Sequence, residues 1–337
     1  MYQVVKRGDW MYATEVRMPC EIFNFSGQTS IETYAIDIDE MRSYDDISVD
    51  RTRLCFEAIR KLSNDFSCWQ HRARTGRPPV EERTLLIAFL VRQHFNVTFR
   101  NTEGMLRQLS VYFDIDTVPD HTSLSRKNKE KRWLIIWRRF HAYILSLLPK
   151  RKVIIATDST GYSGRNDSWR ETDYGIRAIQ DWVKVHAAIE VDSFLVLSYT
   201  MSKSKVHDSR KFGRVWNSLP ENVVPIRSLA DTAYTGEVCL QAALSHGATP
   251  YHGIKKNARF FKHPETAYER MTNFAAHWPN RYAEMYGKRN HAESTFSAIV
   301  RQLGHRLRCR SKIGRMNEVQ AKLSMYNISV LAKNYML

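Results

Sequence analysis

The stretch "KVIIATDS", residues 152–159, decides the fold, because its β-branched, apolar run is too short for a helix and ends close to an aspartate. Two more strand-like runs, 182–192 and 194–202, follow it and are joined by a turn at Asp192–Ser193. The three runs together predict a β-strand beside a β-hairpin. We expect Asp158 at the carboxyl end of the first strand.

Helical and strand-like patterns then alternate along the chain. Residues 209–219 predict a helix, 223–234 a strand, 236–247 a helix closed by glycine, and 249–254 a short strand. The order β-β-β-α-β-α-β-α is that of an α/β fold in which a mixed sheet is flanked by helices. Asp231 lies near the end of its predicted strand, so Asp158 and Asp231 are expected on strands that can lie side by side.

The chain before residue 150 shows helical periodicity instead. Helices are predicted at 81–95 and 102–113, and a third begins after the cap candidate Asp120 and continues through Ile144. The proline and the basic cluster in "LLPKRKV" predict a domain boundary near residue 150. We therefore expect an acidic extension over 1–50, an all-helical domain over 51–150 and an α/β domain over 151–337.

Charge is distributed unevenly along the chain. The 337 residues carry a formal net charge of +16, with 4 Lys and Arg against 10 Asp and Glu in residues 1–50 and 47 against 25 in the rest. A basic body of this kind predicts an anionic polymer, such as DNA, as the partner. The acidic segment 30–50 fits a disordered extension, a dimer contact or a DNA mimic that shields the basic body, and all three stay open.

The third predicted helix carries a basic string, made of Arg126, Lys127, Lys129, Lys131 and Arg132. Short helices joined by tight turns suit a helix-turn-helix that enters a DNA groove. A plain helical bundle with a solvated basic face explains the string equally well. We take Arg126 and Lys127 as candidate DNA contacts.

Cysteine usage and hydropathy bear on location. The five cysteines form no C-x-x-C pair, and no apolar signal segment follows the polar start. The longest apolar runs, such as "WLIIW" at 133–137, fall far short of the roughly 20 residues that cross a bilayer. We expect a reduced, cytoplasmic protein, associated with the nucleoid and without a membrane span.

The stretch "MYGKRNHAESTFSAIVRQ", residues 285–302, predicts a helix with Glu293 among cations. The ordinary interpretation is a solvated ion pair. Alternatively, Glu293 joins Asp158 and Asp231 in one site, because phosphoryl transfer uses clustered carboxylates to hold two Mg²⁺ ions. Asp208 in "KVHDSRKF" is the rival ligand, although its expected position as the N-cap of a helix is a sufficient explanation.

Three segments, "ATDST", "LADTAYTG" and "YGKRNHAESTFSAIVRQ", resemble the catalytic segments of the DDE transposases of prokaryotic insertion sequences. The resemblance covers roughly residues 80 to 337 and implies an RNase H-like fold. Tyr286, Arg289 and Glu293 match the signature Y-x2-R-x3-E-x6-K used by a large group of that class. Val300 stands where the signature has lysine, and Arg301 follows it as a possible substitute.

The resemblance implies an enzyme that cleaves the ends of an insertion sequence and joins the 3′-OH ends to target DNA. It implies Asp158, Asp231 and Glu293 as catalytic residues and ligands of two Mg²⁺ or Mn²⁺ ions, and Tyr286 and Arg289 as DNA contacts. Double-stranded DNA, both terminal inverted repeats and target, is the expected partner, with a homodimer assembled on it. A nuclease of the same fold without strand transfer, and a catalytically dead DNA-binding descendant, remain alternatives.

The stretch "RQLGHRLRCRSKIGR", residues 301–315, carries six Lys and Arg and no acid. Charge runs are usually solvated faces, but this one directly follows the proposed catalytic helix. We therefore predict a phosphate-binding loop, with Arg301, Arg306, Arg308 and Arg310 as its contacts.

Overall fold

A mixed β-sheet carries Asp158, and Asp231 directly follows one of its strands. The computed structural model describes residues 2–7, 10–15, 44–66, 80–164, 168–172, 175–179 and 182–335. The strands are β1 (Tyr2–Arg7), β2 (Trp10–Glu15), β3 (Arg151–Ser163), β4 (Ser168–Thr172), β5 (Gly175–Ile179), β6 (Trp182–Glu190), β7 (Val196–Lys203), β8 (Val223–Ala230) and β9 (Thr249–His252). The helices are α1 (Tyr44–Asp65), α2 (Glu82–His94), α3 (Phe99–Leu109), α4 (His121–Lys127), α5 (Trp133–Ser146), α6 (Ser209–Trp216), α7 (Glu237–Ser245), α8 (Ala267–His277), α9 (Pro279–Gly287), α10 (Asn290–Leu303) and α11 (Lys312–Tyr335).

Five of these strands form the central sheet, in the order β7-β6-β3-β8-β9. The neighbours β3 and β6 are antiparallel, as are β6 and β7, whereas β8 is parallel to both β3 and β9. Numbered within the sheet, this order is 3-2-1-4-5. It confirms the predicted RNase H-like α/β class, with an N-terminal helical region ahead of it. The ribbons β1–β2 and β4–β5 were not predicted.

Strand β3 is longer than the sequence indicated. It pairs with β8 from Arg151 to Thr157, but with β6 it continues to Ser163, whose partner is Trp182. Asp158 therefore lies inside β3, not at its end, because the antiparallel partner extends the strand beyond the parallel pairing. What ends at Thr157 is the parallel half of the ladder.

Helices form in the N-terminal region as predicted, but the helix predicted over 102–113 spans Phe99–Leu109, and α1 was not predicted. Asp120 caps α4 as predicted, since its carboxylate accepts hydrogen bonds from the backbone N–H groups of Thr122 and Ser123, both at 2.9 Å. The predicted third helix is in fact two helices, α4 and α5. The helical path is interrupted between them at Asn128, whose carbonyl oxygen accepts a hydrogen bond from Asn317 Nδ2 of α11 at 2.9 Å.

The predicted helix over 285–302 is also divided. A turn at Lys288 and Arg289 separates α9 from α10, with backbone hydrogen bonds of the tighter i to i+3 type, such as Arg289 N to Tyr286 O at 3.0 Å. Tyr286 therefore lies on α9 and Glu293 on α10. The signature residues do not share one helical stripe, although they remain neighbours.

One hydrophobic core runs from the N-terminal helices into the sheet. Helix α11, which the sequence predicted over 316–332, packs against α1, α2, α5 and α10. Leu85, Trp137, Ile155 and Leu323 all belong to this core. The domain boundary near residue 150 stays a prediction.

Several expectations fall partly outside the described ranges. Residues 16–43, which include most of the acidic segment 30–50, are among them.

Cys55, Cys239 and Cys309 are buried free thiols. No helix of the described residues has both the length and the apolar composition needed to cross a membrane.

Candidate active site and basic surface

Two aspartates lie side by side at one end of the central sheet. Thr157 and Ala230 form the last parallel pair of β3 and β8, so Asp158 and Asp231 follow at the same level. The carboxyl ends of neighbouring parallel strands are where ligands bind in open α/β sheets. The register therefore confirms that the two aspartates lie on adjacent strands.

Local hydrogen bonds fix one oxygen of each aspartate. Asp158 Oδ1 accepts a hydrogen bond from the backbone N–H of Ser159 at 2.7 Å. Asp231 Oδ1 accepts one from the backbone N–H of Ala233 at 2.9 Å and so caps a 3₁₀ turn over Thr232–Tyr234. Both side chains are held by backbone that belongs to the sheet or directly follows it.

Asp158 has an environment that disfavours its negative charge. Burial raises its pKa to about 6, and the charges of Asp231 and Glu293 act in the same direction. The N–H of Ser159 and the guanidinium of Arg289 oppose that shift. Asp231 and Glu293 therefore both lie within electrostatic range of Asp158, whose negative charge burial disfavours most.

Glu293 has a close cationic partner. Its Oε1 lies 2.7 Å from Nη1 of Arg289, and 56% of its side chain is exposed, against 19% for Arg289. The start of α10 is anchored by His291, whose Nδ1 is 2.7 Å from the carbonyl oxygen of Val191. The exposed ion pair that the ordinary interpretation expects is thus present.

Tyr286 connects α9 to the end of β8. Its hydroxyl reaches Gly253, where an added Cβ would lie 2.8 Å from Tyr286 Oη and 2.7 Å from the backbone N of Thr232. Gly253 in turn donates a backbone hydrogen bond to Ala230 at 2.9 Å. Only glycine fits here, and it lets Tyr286 approach the turn that begins at Asp231.

Asp208 corrects the sequence interpretation. It occupies the N-cap position of α6, but its side chain makes no capping hydrogen bond, so capping does not explain it. Its Oδ1 instead accepts a hydrogen bond from Ser159 Oγ at 3.1 Å and lies 2.5 Å from Lys184 Nζ. The adjacent His186 Nδ1 is 3.3 Å away. Through Ser159, Asp208 is connected to Asp158.

Three residues that complete this network were not predicted from the sequence. Tyr234 is fully buried beside it, and burial together with the charges of Asp208, Asp158 and Asp231 raises its pKa above the usual range. Lys184 and His186 lie on β6, and both contact Asp208. Their alternation on β6 with apolar neighbours gave no signal of a shared carboxylate partner.

The residues fit a divalent cation, though not yet as a closed cage. In the part of the chain that the structure describes, no three His, Cys, Asp or Glu side chains lie close enough to hold a metal ion. The donor set nevertheless consists of carboxylate oxygens, which Mg²⁺ prefers. Burial is the largest cause of the raised pKa of Asp158, and a bound cation would favour the charged form of this carboxylate.

The chain also matches a known protein family. Residues 149–328 match the family model described as Transposase DDE domain. The chain belongs to the DDE transposase family. The match begins just before β3 and ends inside α11, so it contains all three carboxylates. No solved structure gives a significant match to the chain.

As a member of this family, the chain shares its general properties. DDE transposases act in DNA transposition, bind DNA and use divalent metals. The assignment to the group with the Y-x2-R-x3-E-x6-K signature stays a prediction. The roles of individual residues, among them Asp158, Asp231 and Glu293, also stay predictions.

The basic stretch after α10 is fastened to the end of β3. Leu307 N donates a hydrogen bond to Ser163 O at 2.9 Å, and His305 Nε2 lies 2.8 Å from Gly161 O. The buried carboxylate of Glu318 accepts hydrogen bonds from the backbone N–H groups of Arg308 and Cys309 at 3.0 and 2.9 Å. This anchoring leaves Arg306, Arg308 and Arg310 exposed, and Arg301 is exposed on α10.

The predicted contacts of the N-terminal region are more engaged with the protein itself. Arg126 is exposed at the end of α4, where its Nη2 is 3.3 Å from Ser123 Oγ. Lys127 pairs with Glu130 at 2.9 Å, and Arg132 pairs with Glu130 at 2.7 Å. The basic string is thus partly neutralised by its own acidic neighbour, and both interpretations of it remain open.

Proposed function

We propose that this protein is an active DNA transposase that cleaves the ends of an insertion sequence and joins the freed 3′-OH ends to target DNA. One observation carries the proposal. Asp158 and Asp231 directly follow the last parallel pair of two adjacent strands, and Asp158 lies within electrostatic range of Asp231, Glu293 and Arg289. Carboxylates gathered at such a place, beside a basic surface, suit chemistry on a phosphodiester.

Asp158, Asp231 and Glu293 are the proposed ligands of two Mg²⁺ or Mn²⁺ ions. When bound, such ions neutralise charge on the attacking and departing oxygens of an in-line phosphoryl transfer. The two aspartates are held ready by strand register and backbone hydrogen bonds. Glu293 completes the donor set by giving up its contact with Arg289.

Arg289 then has a second task. Its guanidinium is released from Glu293 and presents a planar fork, which matches a phosphate oxygen pair. Tyr286, which packs beside Arg289 with the guanidinium carbon 5.8 Å from the ring centre, positions the arginine. One side chain thus balances the charge of Glu293 without DNA and grips the DNA backbone when it arrives.

The remaining basic residues hold DNA outside the reacting centre. Arg301, Arg306, Arg308 and Arg310 line the surface after α10, and Arg126 and Lys127 are the proposed contacts of the helical region. The DNA comprises terminal inverted repeats and target, bound by a homodimer. Each contact neutralises a phosphate and adds to the salt dependence of binding.

The test is an end-cleavage and strand-transfer assay on the DNA that flanks the gene, in Mg²⁺ or Mn²⁺. We expect metal-dependent cutting at the ends of inverted repeats, followed by joined products. Cutting without joining would identify a nuclease of the same fold instead. A gel shift without any cutting would identify a DNA-binding descendant, with Val300 at the signature lysine position as one marker of that loss.

A further inference from the structure

A cavity of about 500 Å³ lies between the N-terminal helices and the basic loop that follows α10. It is separate from the strand ends that carry Asp158 and Asp231. We call it the arginine pocket and define it by the six side chains that the argument uses, Arg92, Asn96, Thr98, Phe99, Arg306 and Arg308.

Arg92 is the buried wall of the arginine pocket. Its side chain is 2% exposed, its Nη2 lies 3.3 Å from Glu318 Oε1, and its guanidinium carbon lies 4.2 Å from the ring centre of Phe99. Its Nε and Nη1 have no hydrogen-bond partner among the described residues. Buried N–H groups of an arginine are normally paired, so Nε and Nη1 are donors that lack an acceptor among the described residues.

The charge around the arginine pocket is positive. Arg306 and Arg308 are exposed at its mouth, and the N-terminus of α3, at Thr98, adds a partial positive charge. The acid next to it, Glu318, is already occupied by Arg92 and by two backbone N–H groups of the loop. An anion in the pocket therefore meets three arginines and one carboxylate that already has its partners.

The walls of the arginine pocket are locked together. Asn96 has φ 48° and Gly304 has φ 78°, and both lie in the left-handed region. A Cβ on Gly304 would lie 2.3 Å from Asn96 Nδ2, so only a glycine at position 304 lets the loop approach Asn96 this closely. Arg308 Nε also donates a hydrogen bond to Asn96 Oδ1 at 3.3 Å. The pocket is built by specific contacts across a distance of about 200 residues in sequence.

We propose that the arginine pocket binds a phosphate group of the DNA backbone. The backbone N–H of Leu307, between Arg306 and Arg308, donates a hydrogen bond to the carbonyl oxygen of Ser163, which lies five residues beyond Asp158 on β3. At 3.2–3.4 Å per strand residue, Ser163 lies about 17 Å along β3 from Asp158, the axial rise of about five nucleotides of B-DNA. DNA as the source of the phosphate rests on the proposed function, whereas the pocket itself does not.

Thr98 offers a sharp test, because it caps α3 by accepting a hydrogen bond from Asn101 N at 3.3 Å. Thr98→Asp keeps a good cap but places a negative charge at the pocket, and Thr98→Asn keeps the cap without the charge. The first probe is a labelled duplex of mixed sequence, titrated at several salt concentrations. The second is inorganic phosphate, for which thermal unfolding is compared with chloride at equal ionic strength.

We expect Thr98→Asp to weaken duplex binding about tenfold and to reduce the salt slope by about one, with Thr98→Asn close to wild type. If duplex binding is equal in all three but phosphate stabilises wild type and Thr98→Asn more than Thr98→Asp, the pocket binds free phosphate. That result would support the pocket and remove DNA as its ligand. Equal behaviour of the Asp and Asn variants with both probes overturns the proposal.

A second pair of variants guards against misfolding of Thr98→Asp. Arg308→Glu reverses a charge inside the pocket, and Arg100→Glu reverses an exposed charge on α3 outside it. The proposal requires the larger loss of binding from Arg308→Glu, and equal losses contradict it. Cleavage by the wild type is measured separately, so an inactive protein with a functional pocket would refute the proposed function and not the pocket.

Discussion

The two aspartates beside the parallel strand pair and the glutamate on α10 are held in opposite ways. Asp158 and Asp231 are placed by the register of β3 and β8 and by backbone N–H groups that belong to the same segments. Glu293 is 56% exposed and is held by one arginine at 2.7 Å. A preformed half and an exchangeable half thus make up one candidate site. On the proposed function, Glu293 gives up its contact with Arg289, whereas Asp158 and Asp231 keep their backbone hydrogen bonds.

Loss of either aspartate carboxylate is expected to have the largest effect. Asp158→Asn and Asp231→Asn keep an acceptor for the N–H of Ser159 or Ala233 but remove the charge, so end cleavage should fall at least about a thousandfold. Single-turnover cleavage measures this, with end binding by gel shift as the folding control. Asp192→Asn, in the exposed hairpin turn, is the matched variant that should keep activity. Cleavage within about tenfold of wild type by either variant would separate the aspartates from the chemistry.

Glu293→Gln tests the exchangeable half. We expect cleavage and strand transfer to fall at least about a thousandfold with end binding nearly intact, because a metal ligand is lost. An exposed ion pair with Arg289 is worth under about 1 kcal/mol, so the free energy of unfolding should barely change. Glu284→Gln, on the exposed face of α9, is the control. If the two Gln variants were equally active, the ion pair would be the whole role of Glu293.

The sequence predicted the placement of the two aspartates more accurately than that of the helix that carries Glu293. The β-branched run before Asp158 and the alternation of elements sufficed for the order of elements along the chain and for the expectation that the two aspartates lie on neighbouring strands, because hydrophobic periodicity is a local property. The break at Lys288 and Arg289 was invisible, since every residue from Asn290 onward continues a helical pattern. Tertiary hydrogen bonds, such as His291 to Val191, decide where α10 begins.

Asp208 shows a second limit of sequence. Its position before α6 is where a cap is expected, and the position was right, but the side chain turns to Ser159 and Lys184. Those partners lie at least 24 residues away along the chain, on two different strands. Polar networks that join distant strands leave no periodic signature, so only the fold reveals them. The arginine pocket, with Arg92 and Arg308, escaped prediction for the same reason.

A smaller effect is expected at the basic loop, which extends the comparison from ligands to DNA contacts. The triple variant Arg306→Ala, Arg308→Ala and Arg310→Ala should flatten the slope of log affinity against log salt by up to about three units, at about 0.9 per phosphate contact. A triple Ala variant of Arg53, Arg60 and Arg107 loses the same charge from exposed ion pairs and should keep the slope. An unchanged slope in the first variant would mark the loop as a solvated face.

The smallest effect is on stability as a function of pH. The pKa of Asp158 is raised from 3.8 to about 6, so the folded state binds this proton more tightly than the unfolded state does. The contribution is therefore fully present below pH 3.8 and is lost as pH rises through about 6. Asp158→Asn should remove that dependence, a difference of at most about 3 kcal/mol after screening by water. Urea unfolding of both proteins across this range measures it, and parallel pH profiles would contradict it.

The most direct test of the account is a count of metal ions at the site. Mn²⁺ is titrated into the protein–DNA complex, free Mn²⁺ is read by electron paramagnetic resonance, and binding to DNA alone is subtracted. We predict about two ions per protomer for wild type and for Glu284→Gln, and the loss of at least one ion for Asp231→Asn and for Glu293→Gln. If all four proteins bind the same number of ions with the same affinity, Asp231 and Glu293 are not metal ligands, and the proposed site is wrong.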